Sequence, residues 1–386
     1  LKSLITPSWH HSIEEVSEQQ WDGILGKDII PFYQWKWLHA LEKSDSISAK
    51  YGWIPLHLTL WEKGKLIALA PLYLKNHSYG EFIFDQSIVR LSAQLGLKYY
   101  PKLIGMSPLS PIEGYRFFIA DDKDKKEITK IIMENIDKFA EKNGILSCNF
   151  LYVDQRWMEY GEVAEWSCWI NTQTEWKSIG EKSFDDYLAR FNSNQRRNIK
   201  RERKSIKNNN IKISVLNGKE IDLKTMRIMH NFYANHCLKW GEWGSKYLTS
   251  KFFEELSDND LKSKVVLFNA YKDDPKKPIA MSLCITDWTI LWGRYWGCKE
   301  EIQNLHFELC YYSPISWAIE KGIKRFDPGA GGNHKFRRGF QASQRFSLHR
   351  WYDKRLDSIM NSLLPEANQL MKESIIASNN ELPFKH

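Results

Sequence analysis

The chain has 386 residues, 42% of them hydrophobic, 14% aromatic and 26% charged. That composition excludes a collagen-like, low-complexity or intrinsically disordered protein and supplies apolar surface for one large domain or two ordinary ones. Fifty-five basic residues against 47 acidic ones leave a formal charge of +8, too mild a balance to imply nucleic acid unless the charge is concentrated somewhere.

In chain order, residues 12–25 form a short segment of mixed polarity, and residues 32–43 space Trp35, Leu38 and Leu41 for a helix. Residues 57–60 and 66–74 read as paired strands around the turn residues Glu62-Lys63-Gly64-Lys65. A strand is expected at 116–119. Residues 128–143 read as a helix with Ile131, Ile132, Ile136, Phe139 and Ala140 on one face and Gly144 as its stop. Another strand follows at 146–153. Apolar periodicity lapses over 159–177, where a boundary is expected between domains 1–165 and 166–386. Ser183 is placed to cap a helix carrying Phe184, Tyr187, Leu188 and Phe191 at i, i+3, i+4 and i+7. Strands are expected at 265–271, 279–286 and 289–297, then a helix over 307–321 stopped by Gly322, and a short strand at 323–326. Helices, strands and hairpins mix without the regular alternation of a dinucleotide-binding fold, which is an α+β pattern. No internal repeat indicates a solenoid or propeller.

Four features can carry chemistry. The run Asn194-Gln-Arg-Arg-Asn-Ile-Lys-Arg-Glu-Arg-Lys-Ser-Ile-Lys207 holds seven basic residues against one acidic residue. At about 100° per residue, Arg196, Arg197, Lys200, Arg201, Arg203, Lys204 and Lys207 share an arc of roughly 160°, opposite Ile199 and Ile206. Such a run is either a solvated face or an anion-binding ridge. Like charges at i and i+4 repel, and a bound polyanion offsets that cost, so the ridge is the better reading.

The second feature is Phe326-Asp-Pro-Gly-Ala-Gly-Gly-Asn-His-Lys-Phe-Arg-Arg-Gly-Phe340. Here a strand ends in a loop with Gly329, Gly331 and Gly332, followed by His334, Lys335, Arg337 and Arg338. Such a loop aims amides and cations at one point, as an anion site, or simply makes a tight connection. It is neither a dinucleotide loop nor a P-loop. The third is 291–298, where Arg294 and Trp296 share one strand face and Tyr295 takes the other. His306 and Glu308 follow at a helix start, as acid/base candidates or as structural residues. The spacings of zinc deaminases, zinc proteases and serine hydrolases are absent. The fourth is a loop carrying Lys98-Tyr-Tyr-Pro-Lys102, Pro108-Leu-Ser-Pro111 and Gly114-Tyr-Arg116, a substrate rim or a structural turn.

The six cysteines never form C-x-x-C, which argues against a zinc site or redox pair and for reduced, mostly buried thiols in a cytosolic protein. The longest apolar stretch, 279–293, contains Asp287 and is shorter than the roughly 20 residues of a membrane-spanning helix. No signal peptide is visible. A cytoplasmic location and no metal are expected.

Several of these segments together resemble the FemAB-like acyltransferases, a family labelled peptidoglycan biosynthesis or recognition. They are Phe84-Asp85, Tyr99-Tyr100-Pro101-Lys102-Leu103, the basic helix at 196–204, Gly293-Arg294-Tyr295-Trp296-Gly297-Cys298, His306-Phe307-Glu308-Leu309-Cys310-Tyr311-Tyr312 and the 331–340 run. The resemblance extends over about residues 35–351. It implies two tandem domains of the GNAT (acyl-CoA N-acyltransferase) type, each a mixed sheet flanked by helices. Fem ligases transfer an amino acid from aminoacyl-tRNA to the amine of a cell-wall precursor. Arg337-Arg338-Gly339-Phe340 is similar to their carboxyl-terminal Lys-x-Gly-Phe element, with Arg337 in the lysine's place. The sequence departs from the pattern at two points. Pro314 lies inside the helix after Tyr312 and should kink it. The acetyl-CoA loop Q/R-x-x-G-x-G/A is not met, because Arg325-Phe-Asp-Pro-Gly329-Ala-Gly331 has one residue too many.

The resulting expectation is an N-acyltransferase, aminoacyl by preference, without a tightly bound cofactor, whose donor is aminoacyl-tRNA or acyl-CoA. Its acceptor is an amine-bearing small molecule or cell-wall precursor. Arg196, Arg197, Lys200, Arg201, Arg203 and Lys204 are assigned to tRNA or another phosphate-bearing partner. Lys102, Arg116, Arg294, Tyr295, Gly331, Gly332, His334, Lys335, Arg337 and Arg338 are assigned to substrates, and His306 and Glu308 to acid/base work. The alternatives are an acyl-CoA-dependent N-acyltransferase and a non-catalytic polyanion-binding module.

Overall fold

A computed structural model describes residues 5–27, 29–159, 166–239, 241 and 245–385. The strands in chain order are β1 (Ile5–His10), β2 (Trp53–Pro55), β3 (His57–Glu62), β4 (Lys65–Ala70), β5 (Tyr73–Lys75), β6 (Lys102–Gly105), β7 (Phe118–Ile119), β8 (Ser147–Phe150), β9 (Ser167–Lys177), β10 (Lys212–Asn217), β11 (Val265–Tyr271), β12 (Ala280–Thr286), β13 (Ile290–Cys298), β14 (Arg325–Asp327) and β15 (Gln341–Trp351). The helices are α1 (Glu18–Ile24), α2 (Trp35–Lys43), α3 (Gln86–Gln94), α4 (Lys125–Lys142), α5 (Gln155–Glu159), α6 (Phe184–Ala189), α7 (Ser193–Asn208), α8 (Leu223–Leu238), α9 (Ser250–Glu255), α10 (Asn259–Lys262), α11 (Leu305–Phe307), α12 (Ser313–Glu320) and α13 (Lys354–Asn380). A π-helical turn, Glu308–Tyr312, joins α11 to α12.

Local chemistry sets many of these boundaries. β3 and β4 pair antiparallel around Lys63 and Gly64, whose φ values of 50° and 77° are the two left-handed angles a two-residue hairpin turn needs. Asp124 caps α4 by accepting from the amides of Lys126 and Glu127. Ser183 and Asp186 form the reciprocal capping box of α6. The expected strand over 66–74 is interrupted after Ala70, and Tyr73–Lys75 joins a different sheet. The expected kink at Pro314 takes the form of the π turn. Pro314 falls in the first turn of α12, where its missing N–H costs nothing.

The chain divides into two compact units, residues 1–171 with 344–372 and residues 172–343 with 373–386. The expected boundary at 165/166 falls where residues 160–165 lie outside the described ones, and the stretch of lapsed periodicity contributes strand β9. Unit 1 holds an antiparallel sheet in the order β1-β3-β4-β7 and a second, mixed sheet in which β15, β8, β6, β5 and β2 are successive neighbours. One part of its core gathers Ile88, Tyr99, Leu146, Trp351, Leu356 and Met360. Unit 2 holds β10-β11-β12-β13-β14-β9, with β13 and β14 parallel and the other pairs antiparallel. Its core packs Trp176, Tyr187, Phe191, Ile199, Ile206 and Tyr312 against that sheet. The expected α+β architecture of mixed sheets flanked by helices is the one observed.

Close packing of α8 on β13 depends on Gly297. A Cβ there would lie 2.1 Å from the carbonyl oxygen of Phe232, a backbone atom that cannot rotate away. Gly297→Ala is therefore expected to cost about 1–3 kcal/mol through overpacking, read as a lower urea midpoint. An unchanged midpoint would mean that α8 shifts freely. Among the described residues no helix is long and apolar enough to cross a membrane. No group of three or more His, Cys, Asp or Glu side chains there is placed to hold a metal ion. All six cysteines are free.

Candidate active site

The basic run folds as α7, capped by Asn192, whose side chain accepts from the amide of Gln195. Ile199 and Ile206 are buried as expected and anchor the helix to the core of unit 2. Arg197, Lys200, Arg201 and Lys204 are exposed. Among the described residues, Arg197 and Arg201 bond to Asn194, Asn198 and the Ser193 carbonyl on the helix itself. Arg196 is half-buried.

Arg203 leaves the ridge. Its guanidinium lies 4.2 Å over the Phe184 ring and grips Glu308 through Nε at 3.2 and 3.1 Å and Nη2 at 2.9 Å. Glu308 also accepts from Ser313 Oγ at 2.8 Å. The expected acid/base carboxylate is thus committed to an ion pair in which its own side chain is only 4% exposed.

Beside this pair, Glu202, the one acid in the run, turns inward. Its Oε2 accepts from the Tyr312 hydroxyl and from Arg338 Nη2 at 2.8 Å. Arg338 is buried, donates to the His334 carbonyl at 2.8 Å and lies 3.4 Å over the Phe307 ring. Lys335 is also buried, and its Nζ donates to the carbonyls of Gly329 and Ala330 at 2.7 and 3.2 Å, tying down the glycine loop. Burial pushes its pKa down to about 8, against the attraction of Asp327. Gly332 has φ 90°, and a Cβ on it would meet the His334 ring at 2.5 Å, so glycine is what lets that imidazole approach. Gly331 and Gly332 are exposed, as is Arg337, whose carbonyl accepts from Gln195.

His334 Nε2 and the Tyr311 hydroxyl are 2.8 Å apart. Burial raises the phenol's pKa and lowers that of the imidazole, helped by Arg338 and Lys335. Burial thus opposes ionisation of both partners of this hydrogen bond. His306 stands against Tyr311, His334 and Trp296, with ring centroids 5.3, 5.7 and 4.8 Å away. Burial, then His334, His236, Lys335 and Arg338, push its pKa down to about 3. It is a neutral hydrogen-bond acceptor across the physiological range and too weak a base to deprotonate an ammonium. Tyr295 is placed elsewhere, in ring contact with Tyr233 and Phe253, with the Arg294 guanidinium 5.6 Å from its centroid.

The structure thus brings together Arg203, His306, Glu308, His334, Lys335 and Arg338. Sequence reasoning missed Glu202, Tyr311 and Tyr312. Glu202 carried a signal, a lone acid in a basic run, whereas the two tyrosines look like core residues.

In unit 1, Arg116 lines a cavity of about 1120 Å³ with Asp154, Arg156, Lys65, Phe118 and Trp157. Its Nη1 bonds to Asp154 Oδ2 at 2.8 Å. Lys102, expected at a substrate rim, is instead buried with its ammonium on Glu81 and Asp85. Tyr99 beside it is buried too, whereas Lys98 is exposed and Tyr100 and Pro101 are half-buried, so the cation expected at a rim is an interior one.

The model of a family described as FemAB-like, peptidoglycan biosynthesis/recognition, matches residues 12–386. Comparison with curated proteins finds no match. Among solved structures, one described as FemX superposes with a TM-score of 0.52 at 12% identity, covering 92% of this chain and 99% of that one. L-PGS from Bacillus licheniformis gives 0.47 at 8% identity, covering 90% and 96%. A tandem GNAT protein from the clavulanic acid biosynthesis pathway gives 0.44 at 7%, covering 90% and 98%.

Proposed function

The chain belongs to the FemAB-like family, and on that premise we propose that it is a transferase that moves an activated acyl group, aminoacyl from aminoacyl-tRNA, onto the amine of a cell-wall-precursor-like acceptor in the cytoplasm. The observation that carries this reading is the two-faced character of α7. One face presents Arg197, Lys200, Arg201 and Lys204 to solvent, and the other holds Glu202 and Arg203 in the cluster of Tyr311, Tyr312, His334 and Arg338. A polyanion on the outer face is then held by the helix that also orders the chemical groups.

Acyl transfer to an amine needs a positioned neutral amine, a stabilised oxyanion and a proton path. In this proposal His306 accepts a hydrogen bond from the attacking amine and orients it. The Tyr311 hydroxyl, held by His334, takes a proton from the attacking amine as it passes its own to the departing oxygen, so that neither side chain has to ionise. Lys335 holds the glycine loop, whose amides near Gly331 and Gly332 face the developing negative charge. Arg338 and Glu202 position the cluster.

The test supplies tRNA charged with labelled amino acids, or acyl-CoA, together with amine acceptors. Label transfer that ribonuclease abolishes is expected, and transfer from acyl-CoA alone would overturn the donor assignment. The triple replacement Lys200→Ala, Arg201→Ala, Lys204→Ala is expected to weaken tRNA binding and reduce the slope of log K against log salt by about 2. An unchanged slope would remove the ridge from the interface.

A further inference from the structure

Residues 76–85 of unit 1 close over a group of charges for which acyl transfer has no use. Lys75 on β5 and Lys102 on β6 sit directly opposite each other in register, with exposures of 0% and 1%. Like charges so placed repel, and the following loop supplies carboxylates. Lys102 Nζ donates to Asp85 Oδ2 at 2.6 Å, Glu81 Oε2 at 2.7 Å and Ser78 Oγ at 2.8 Å, which uses all three of its protons. Asp85 Oδ2 also accepts from Ser78 Oγ and Tyr99 OH. Among the described residues no carboxylate pairs with Lys75. Its Nζ donates to the Tyr79 carbonyl at 3.1 Å, lies 3.3 Å from His77 Nδ1, and stands 3.7 Å over the Trp53 ring of β2.

The hydrogen-bond count does not close. Glu81 Oε1 and Asp85 Oδ1 are buried and accept nothing, although an unsatisfied buried acceptor costs about 1–3 kcal/mol and more when charged. Nor does the charge count close. Lys102 offsets one of two carboxylates. Burial pushes Lys75 down to about 7, against the pull of Glu81 and Asp85 and with the push of Lys102, and it raises the Glu81 pKa against the pull of Lys102. Burial lowers the two histidines that feel these charges, His77 and His349. With Glu81 ionised the group lacks part of a positive charge and a donor for each of the two free oxygens; a proton on Glu81 would fill part of that deficit. A hydroxyl guest brings one proton and no charge. A primary ammonium brings three protons and the missing charge. The loop itself is built unlike a sealed core. Tyr79 and Phe84 point outward, 68% and 76% exposed, and Gly80 and Phe82 hold left-handed backbone angles, strained for the phenylalanine.

We propose that loop 76–85 is the cover of a binding site for a primary ammonium group, which donates to Glu81 Oε1 and Asp85 Oδ1. Lys75 is the internal competitor. Protonated, it supplies the charge from within the group and repels the guest; neutral, it leaves room for the guest's charge. Binding therefore strengthens as pH rises, because Lys75 loses its proton and Glu81 ionises.

The test titrates the full chain with ¹⁵N-methylammonium and reads the ammonium protons by NMR. At pH 8 the expected result is a bound ¹⁵NH₃⁺ resonance protected from solvent exchange, binding weaker by about tenfold or more at pH 6, and a smaller pH dependence in Lys75→Met. Glu81→Gln and Asp85→Asn, which keep the shape and remove the charge, are expected to lose the resonance. Tetramethylammonium, a cation without N–H, is expected not to compete. No protected resonance in the wild-type protein, competition by tetramethylammonium, or unchanged binding in both folded variants would each overturn the site. The wild-type measurement stands even where a variant fails to fold, and none of these readouts depends on acyl transfer. Displacement by Nα-acetyl-lysine would assign the ammonium to a larger molecule, and its failure to displace would assign a small free amine.

Discussion

Lys102→Met is expected to lower the unfolding free energy by about 3–5 kcal/mol, because it leaves Glu81 and Asp85 buried without the cation that both bind. For units of this size that is a thermal midpoint lower by roughly 10 °C. Burial by itself lowers the Lys102 pKa, but Glu81, Tyr99 and Asp85 outweigh it and hold the ammonium protonated. Burial likewise opposes ionisation of Asp85, and Lys102 reverses that, lowering its pKa. A depressed carboxylate pKa contributes stability above its unfolded value and loses it as pH falls through the folded one. The deficit of the variant is therefore expected to be larger at pH 8 than at pH 4, where the orphaned carboxylates take up protons. Chemical denaturation at the two pH values measures it. An unchanged midpoint at pH 8 would put Lys102 back at a solvent-facing substrate rim.

Tyr311→Phe is expected to reduce the rate of acyl transfer by about 10²–10⁴-fold while costing only about 1 kcal/mol of stability. The hydroxyl bonds to His334 Nε2, and the ring packs against Phe340 and His306, contacts that phenylalanine keeps. Without the phenol, the proton of the attacking amine has no relay to the departing oxygen along the proposed path. Single-turnover transfer and a denaturation curve on the same preparation separate the two effects. Full activity in a folded variant would remove the Tyr311–His334 pair from the chemistry, and equal losses of rate and stability would make its role structural.

Much of the fold was legible because its signals are local. The β3–β4 hairpin, the α4 face and its Gly144 stop, the Ser183 cap and the β11–β12–β13 run each follow from spacing and turn chemistry over fewer than about twenty residues. The basic ridge was legible for the same reason: Ile199 and Ile206 fix which way α7 faces. Less local features were not. Helix α13 carries exposed Leu363, Leu370 and Ile376 together with an internal Pro365, a blurred pattern that offers no clean apolar stripe. The strand Ser167–Lys177 alternates poorly because its residues are half-buried along much of its length.

The candidate site divides along the same line. Sequence alone supplied the α+β class, the resemblance to FemAB-like proteins, the outward cations of α7 and the glycine loop preceding His334 and Lys335. Each depends on residue types and their spacing within one segment. Tertiary structure decided which charges are free. Arg203 and Lys204 are neighbours in one basic run, yet Arg203 is committed to Glu308, 105 residues away, while Lys204 stays in solvent. Lys102 reads as a rim cation until β6 sets it opposite Lys75 and the loop at 76–85 brings two carboxylates to it. Charge is a property of a residue, whereas its availability depends on burial and on partners that only the folded chain delivers.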